Sequence, residues 1–485
     1  MTTPDDVIAA VPKQLFIGGE WVDASAGATM PVDDPATGAA LCEVADAAPE
    51  DGARALAAAV AAQADWARTP PRPRADVLHR AYELILSRVD ELALLMTLEM
   101  GKPLAEARGE VAYAAEFFRW FSEEAVRVDG GYALSPDGRT RMLVTRQPVG
   151  PCVLVTPWNF PLAMGTRKIG PAVAAGCTMV LKPAPQTPLS SLALAGILVE
   201  AGLPAGVLNV VTTSRAGAVV EPLLRGGQVR KLSFTGSTQV GRLLLEQSAG
   251  AVLRTSMELG GNAPLLVFAD ADLDVAVDGA MAAKLRNMGE ACTAANRLFV
   301  HRSVHDEFAT RLAARMGALT VGPGTEPGVD IGPLIDAAGR GKVSELVADA
   351  VERGAKVLVG GEPVAGAGFF YPPTVLSDVD SSSAVLSAEI FGPVAPIVAF
   401  DDEDEVVREA NRTLFGLVGY VFTRDLARAF RVSEALEVGM VGVNTGVVSN
   451  PAAPFGGVKQ SGLGREGGRS GIDEFLEQKY IALPV

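Results

Sequence analysis

From Gly150 onward the chain alternates short apolar runs with longer amphipathic ones, and that alternation leaves few folds open. PCVLVTP, CTMVLKP, VLNVVTT and KLSFTG each precede a helical stretch: KIGPAVAAG, LSSLALAGILVEAG, GAVVEPLLRGG and TQVGRLLLEQSAG. Short strands joined by helices of this length are βαβ units, whose right-handed crossovers feed a parallel sheet covered on both faces. Residues 150–256 are therefore expected to form a doubly wound, nucleotide-type unit. After Met257 a second α/β series follows: APLLVFAD, a helix over 275–287, RLFVHR, a helix over 306–316, then AKVLVGG, APIVAFD and GYVFTRD. Before Gly150, the stretches 49–68, 75–100 and 104–124 read as three helices with charged outer faces. The segment 140–149 and the carboxyl-terminal EFLEQKYIALPV read as edge strands, which need a partner.

Composition narrows the function classes. With 485 residues, 48% hydrophobic and 20% charged, the chain has material for two or three domains with large cores. Its 42 Lys and Arg against 57 Asp and Glu give a net charge of −15 without any basic block, so neither nucleic acid nor an anionic membrane is an expected partner. No apolar stretch approaches the roughly 20 residues that span a bilayer. Asp5 and Asp6 stand where a leader would be positive, which predicts a cytoplasmic protein. Cys42, Cys152, Cys177 and Cys292 form no CxxC pair, so neither a disulfide framework nor a metal site is expected.

Two apparent nucleotide motifs fail their context. Gly462-Leu-Gly464-Arg-Glu-Gly467 has GxGxxG spacing without an apolar strand ahead of it, and the P-loop-like glycines Gly236 and Gly241 are followed by Arg242 and Leu243 instead of Lys and Ser or Thr. With three histidines in the chain, a Ser-His-Asp hydrolase has few candidate bases. Cys292 stands apart from the other cysteines, which suit the role of small buried hydrophobes. It sits in the polar passage Asn287-Met-Gly-Glu-Ala-Cys-Thr-Ala-Ala-Asn296, between a helix and a strand. No histidine neighbours it, so helix dipoles and backbone amides are expected to lower its pKa and make it a nucleophile. Glu258, in Met257-Glu-Leu-Gly-Gly-Asn262, is a solvated turn residue or, if desolvated, a general base. Asn159, in Thr156-Pro-Trp-Asn-Phe-Pro161, follows a strand at the sheet's carboxyl edge, where its amide is equally a turn former or an oxyanion donor.

TPWNFP, SFTGSTQVG, MELGGN, GEACTAANR, EIFGPV and PFGGVKQSGLGRE, in this order, resemble the aldehyde dehydrogenase superfamily from about Leu15 to Tyr480. The resemblance implies an α/β fold with two doubly wound parallel-sheet domains and a small β oligomerisation segment. The Rossmann-type cofactor domain would comprise 1–124 and 149–256, the catalytic domain 257–465, and the oligomerisation segments 125–148 and 466–485 of a homodimer or homotetramer. Cys292 is then the nucleophile that forms a thiohemiacetal and later a thioester, with Asn159 and the Cys292 N–H as oxyanion donors. Glu258 would activate the deacylating water, and Lys168 and Glu466 would relay its proton.

The same resemblance implies NADP or NAD as cofactor. Trp158 would lie near its pyrophosphate and nicotinamide, Lys182 on its adenosine ribose, and Gly236 and Ser237 at the helix start that receives phosphate, with Thr156, Pro157, Asn159, Pro183, Ala184 and Pro185 also in the cofactor site. Leu259, Glu389 and Phe391 would contact the nicotinamide and its ribose. Pro185 stands where many NAD-preferring relatives carry a glutamate, and with Lys182 adjacent this favours NADP. Glu290 replaces the usual glutamine two residues before the nucleophile. A carboxylate there would raise the thiol's pKa if it pointed inward, so it is expected to face solvent. Ala294 removes the second cysteine that some relatives use as a disulfide switch.

Within the superfamily the chain is most similar to succinate-semialdehyde dehydrogenases, through Arg167 in MGTRKIGP, Arg286 in LRNMGEAC and the passage GVVSNPAAPFGG. Arg167, Arg286, Ser449 and Phe455 are then expected around a substrate carboxylate, which paired guanidinium groups bind in bidentate fashion. Glutarate semialdehyde fits the same reading, because one methylene is worth only about 1–3 kcal/mol. The alternatives are a dehydrogenase of broad specificity whose arginines serve structure, a silent nucleotide-binding protein, and a CoA-acylating relative. Cys292, Glu258 and Asn159 together argue against the second, and the hydrolytic role of Glu258 against the third.

Overall fold

The structure, a computed structural model, describes residues 3–485. The first βαβ series forms an eight-stranded sheet in the order Gly462–Leu463, Arg254–Glu258, Lys231–Thr235, Cys152–Val155, Met179–Lys182, Leu208–Val210, Leu15–Ile17, Glu20–Val22. Its five central strands run parallel and its outer strands antiparallel. Chain order reverses between Cys152–Val155 and Lys231–Thr235, which opens a ligand crevice at their carboxyl ends. The second series forms a seven-stranded sheet, parallel except at the edge strand Lys356–Val359. Strands such as Cys152–Val155 and Ala263–Val267 are buried along their whole length because helices cover both faces of each sheet.

The two segments read as edge strands are each other's partner. Leu476–Pro484 pairs antiparallel with Thr140–Pro148 along its full length, and Gly131–Leu134 completes a three-stranded sheet. Tyr132, Leu134, Tyr480 and Leu483 remain exposed on it.

Two helices differ from expectation. The stretch 75–100 breaks at Arg88 (φ −118°, ψ 25°) into Pro71–Ser87 and Val89–Met100. No glycine or proline marks the break, and the apolar period runs through it from Ile85 to Leu92, so the pattern alone reads as one helix. Tertiary contacts decide it: Arg88 pairs with Glu200 at one end of the helix Leu189–Glu200, and Glu99 accepts from Leu189 N (2.7 Å) and Ser190 N (2.8 Å) at the other. The second helix ends at Leu285 rather than 287, because Asn287 and Met288 adopt left-handed φ of 56° and 54°. Gly289 completes this reversal at φ 78°, where a Cβ would lie 2.2 Å from Gly392 O.

Candidate active site

The reversal at 287–289 delivers Cys292 to a cavity of about 390 Å³ between the two large sheet units, walled by strand ends of the first and by loops and helix ends of the second. Cys292 is half-buried, and its backbone N–H makes no hydrogen bond among the described residues. Asn159 approaches from the first sheet. Its Nδ2 donates to Glu290 O (2.9 Å), while Asn287 Nδ2 donates to both Glu290 O and Asn159 O (3.0 Å each). These bonds lock the two amide-bearing segments together and leave Asn159 one amide hydrogen to spare. The thiol differs from expectation. Burial pushes Cys292 up to about 12, with Glu389 and Glu258 adding to the rise and Arg167 and Arg286 opposing it. Desolvation therefore outweighs the dipoles invoked from sequence.

Glu258 ends the strand Arg254–Glu258 and is buried rather than solvated; neither carboxylate oxygen has a partner. Burial, and then Glu466, push its pKa well above the usual carboxylate range, while Arg167 and Lys168 pull it down. Around Glu466 lies a closed set of charges. Lys168 Nζ donates to Glu466 Oε1 (2.5 Å) and to Ser233 Oγ (2.9 Å), and Arg167 Nε donates to Glu466 Oε2 (2.5 Å). Burial alone would raise Glu466, but Lys168 and Arg167 hold it at about 2.

The two arginines expected at the substrate differ in kind. Arg167 reaches the cavity wall and stacks on the Phe455 ring (4.1 Å), yet its charge already faces Glu466. Arg286 meets no carboxylate in an ion pair among the described residues. Its Nη1 donates to Ser449 Oγ (3.2 Å), and its guanidinium lies over Phe160 (4.9 Å) and Tyr113 (5.5 Å). Glu290 contradicts its expected exposure: its side chain is buried, one oxygen accepts from Ile335 N (3.1 Å), and the other has no partner. The turn needs the Glu290 carbonyl for Asn159 and Asn287, and that anchoring carries the side chain inward.

The cofactor side fits a dinucleotide. Lys182, at the end of its strand, is buried without an ion pair, and burial alone pulls it down to about 8. Pro183 and Ala184 are buried behind it and Pro185 is half-buried, bringing no carboxylate. The Thr156 and Thr235 hydroxyls are buried without partners. A Cβ on Gly236 would meet the Phe234 ring at 2.5 Å, so only glycine keeps this approach open, and Ser237 caps the following helix by accepting from Val240 N (3.3 Å). Pro157, Trp158, Leu259, Glu389 and Phe391 share the same cavity. Trp158 and Phe391 meet edge to face at 5.4 Å, and Glu389 accepts from Gly261 N (2.9 Å).

Sequence reasoning missed the supports. Lys102 pairs with Glu110 inside the fold and donates to Asn159 O (2.8 Å), Glu106 accepts from Asn287 N (2.7 Å), and Tyr420 donates its hydroxyl to Thr293 O (2.8 Å). Asn287 stood in the quoted nucleophile passage; the others carry no local signal. Among the described residues no group of His, Cys, Asp or Glu converges as a metal site, and no helix is long and apolar enough to cross a membrane.

Residues 21–481 match the Aldehyde dehydrogenase family. The chain is 59% identical over 443 residues to a succinate-semialdehyde dehydrogenase of Paenarthrobacter nicotinovorans, spanning 91% of this chain and 98% of the relative. It is 52% identical over 471 residues to a glutarate-semialdehyde dehydrogenase of Pseudomonas aeruginosa, 97% of each. The crystal structure of an NADP-dependent enzyme from E. coli superposes with a TM-score of 0.97 at 51% identity, covering 98% of both chains. The chain belongs to the aldehyde dehydrogenase family. It is an NAD(P)-dependent aldehyde dehydrogenase, by sequence of the succinate-semialdehyde dehydrogenase type.

Proposed function

We propose that the enzyme oxidises a short aldehyde bearing a terminal carboxylate, with succinate semialdehyde as the main substrate, glutarate semialdehyde as a close second, and NADP as the preferred cofactor. One observation carries the reading: Arg286 is a cation in the cavity wall whose side-chain partner is a hydroxyl, Ser449, and not an acid. A substrate carboxylate supplies the missing charge and accepts from both groups. Arg167 and Phe455 form the wall beside it.

Glu258 takes the Cys292 thiol proton and releases it outward as Sγ bonds to the aldehyde carbon, and the oxygen turns into an oxyanion held by the free Asn159 amide hydrogen and the Cys292 N–H. When bound, a nicotinamide cofactor would accept the hydride from that carbon, and Lys182, Gly236, Ser237 and Glu389 would hold its ribose and phosphates. A thioester then remains on Cys292. Glu258 takes a proton from the water that attacks it, the C–S bond breaks, and the acid leaves. Its raised proton affinity makes Glu258 a stronger base than an ordinary carboxylate. Lys168 and Glu466 pass that proton outward. The exposed face of the three-stranded sheet supports a homodimer or homotetramer.

The test is kcat/KM for succinate semialdehyde beside uncharged butanal, each with NADP and NAD. A preference of at least about 100-fold for the semialdehyde is expected, the scale of one charge-assisted pair. Equal rates would leave the dehydrogenase standing and return Arg286 to structural duty.

A further inference from the structure

Glu290 has no part in the chemistry above, yet it sits on the nucleophile's own turn. Its side chain is about 1% exposed, Oε1 accepts from Ile335 N and Oε2 has no partner. The surrounding elements bring both acids and cations, and none of the cations pairs with Glu290. The segment that supplies Ile335 brings Asp336. The helix Leu104–Glu124 brings Glu106, bonded to Asn287 N on the same turn, and Glu110. Lys102 is the nearby cation, but it is paired with Glu110, donates to Asn159 O and lies over the Phe160 ring. On the turn itself stand Arg286, held by Ser449, and Cys292. A buried carboxylate with one hydrogen bond and no ion pair keeps its proton.

We propose that Glu290 works as a neutral carboxylic acid that positions the nucleophile's turn against the Ile335–Asp336 segment, and that its ionisation at alkaline pH suppresses Cys292. Burial pushes its pKa well above the usual carboxylate range, with Asp336 adding to the rise and Lys102 opposing it. Below that raised pKa the acid adds no charge beside the thiol. Above it, a new anion two residues from Cys292 disfavours both the thiolate and the oxyanion that follows. The same turn also holds the oxyanion donor, because Asn159 Nδ2 donates to Glu290 O. Glu290 thus acts through Cys292 and Asn159, which makes it a positioning residue, and the inference rests on Cys292 being the nucleophile.

The test is the rate at which iodoacetamide alkylates Cys292, read by peptide mass spectrometry on the full chain between pH 6 and 10, in wild type, Glu290→Gln and Glu290→Ala. A thiol titrating far above this range alkylates about tenfold faster per pH unit. Wild type is expected to fall away from that slope on the alkaline side. Both variants should keep it, and Glu290→Gln should react about three- to tenfold faster than wild type at pH 9.5, the effect of one nearby charge. The kcat/KM profile should repeat the contrast, with an alkaline fall in wild type that Glu290→Gln lacks. Superimposable profiles in all three proteins would overturn the proposal. Failure of the nucleophile reading is separate: Cys292→Ala would then still oxidise aldehydes.

Discussion

The cations of the cavity divide into two sets. Around Glu466, Arg167 and Lys168 are buried and their charges are met by one carboxylate, although Arg167 Nη2 has no partner. Arg286, on the cavity wall, and Lys182, at the end of the strand Met179–Lys182, are held by the fold without an acid. Burying a cation without its counter-charge is costly, so a fold that does it on a cavity wall leaves the anion to come from outside. That separates residues of one type at one site: Arg167 is part of the frame, and Arg286 is part of the binding surface. Lys284 and Arg297 are also buried without acids, but Lys284 is pulled to about 7 by burial and Arg297 spends its donors on Asn262, Glu409 and Ala410 carbonyls. Lys284 Nζ also donates to Asn296 Oδ1 (3.0 Å), whereas Lys182 Nζ donates to no protein oxygen among the described residues.

Breaking the closed set should have the largest effect. Glu466→Ala leaves two buried cations unpaired and is expected to cost about 3–5 kcal/mol of stability, read as a shift in the urea midpoint. The pH dependence has a definite sign. Glu466 is depressed from its ordinary 4.5 to about 2, so its contribution is full above 4.5 and is lost as pH falls towards 2. Glu466→Gln should flatten that acid limb, and an unchanged limb would mean that the cluster does not couple to folding. Arg286→Ala comes next. Its kcat/KM for succinate semialdehyde should fall about 100-fold while butanal and the urea midpoint barely move. Arg167→Ala is expected to show the reverse, with a large loss of stability on every substrate. Identical behaviour of the two variants would erase the division.

The fold was legible where period and burial agree. Residues 150–256 alternate cleanly because each strand is covered on both faces, whereas the strand order that opens the crevice is seen only in the structure. The helix break at Arg88 was hidden because it is imposed by Glu200 and Leu189, far along the chain. The same limit governs the site. Cys292, Glu258 and Asn159 announce themselves by unusual local company, whereas the Lys102 bond to Asn159 O comes from a helix junction remote in sequence. Electrostatics was least legible. Whether Glu290 faces in or out, and whether Cys292 is depressed or raised, depends on desolvation by several elements at once, and both outcomes ran opposite to the local expectation.

Lys182 gives the finest probe of the comparison, because its charge is conditional where that of Arg286 is fixed. Burial lowers it to about 8, so below that pH it is a cation without an anion and above it a neutral amine. A 2′-phosphate gains from the charged form, whereas the ribose hydroxyls of NAD need only a hydrogen-bonding nitrogen. NADP affinity should therefore weaken about tenfold between pH 7 and 9.5, NAD affinity should change little, and Lys182→Met should abolish the difference. Calorimetric titration of both cofactors into the Cys292→Ala protein reads this without turnover. Parallel pH dependence for the two cofactors would show that Lys182 meets no phosphate, and that the absence of an acid at Pro185 leaves cofactor choice to residues elsewhere.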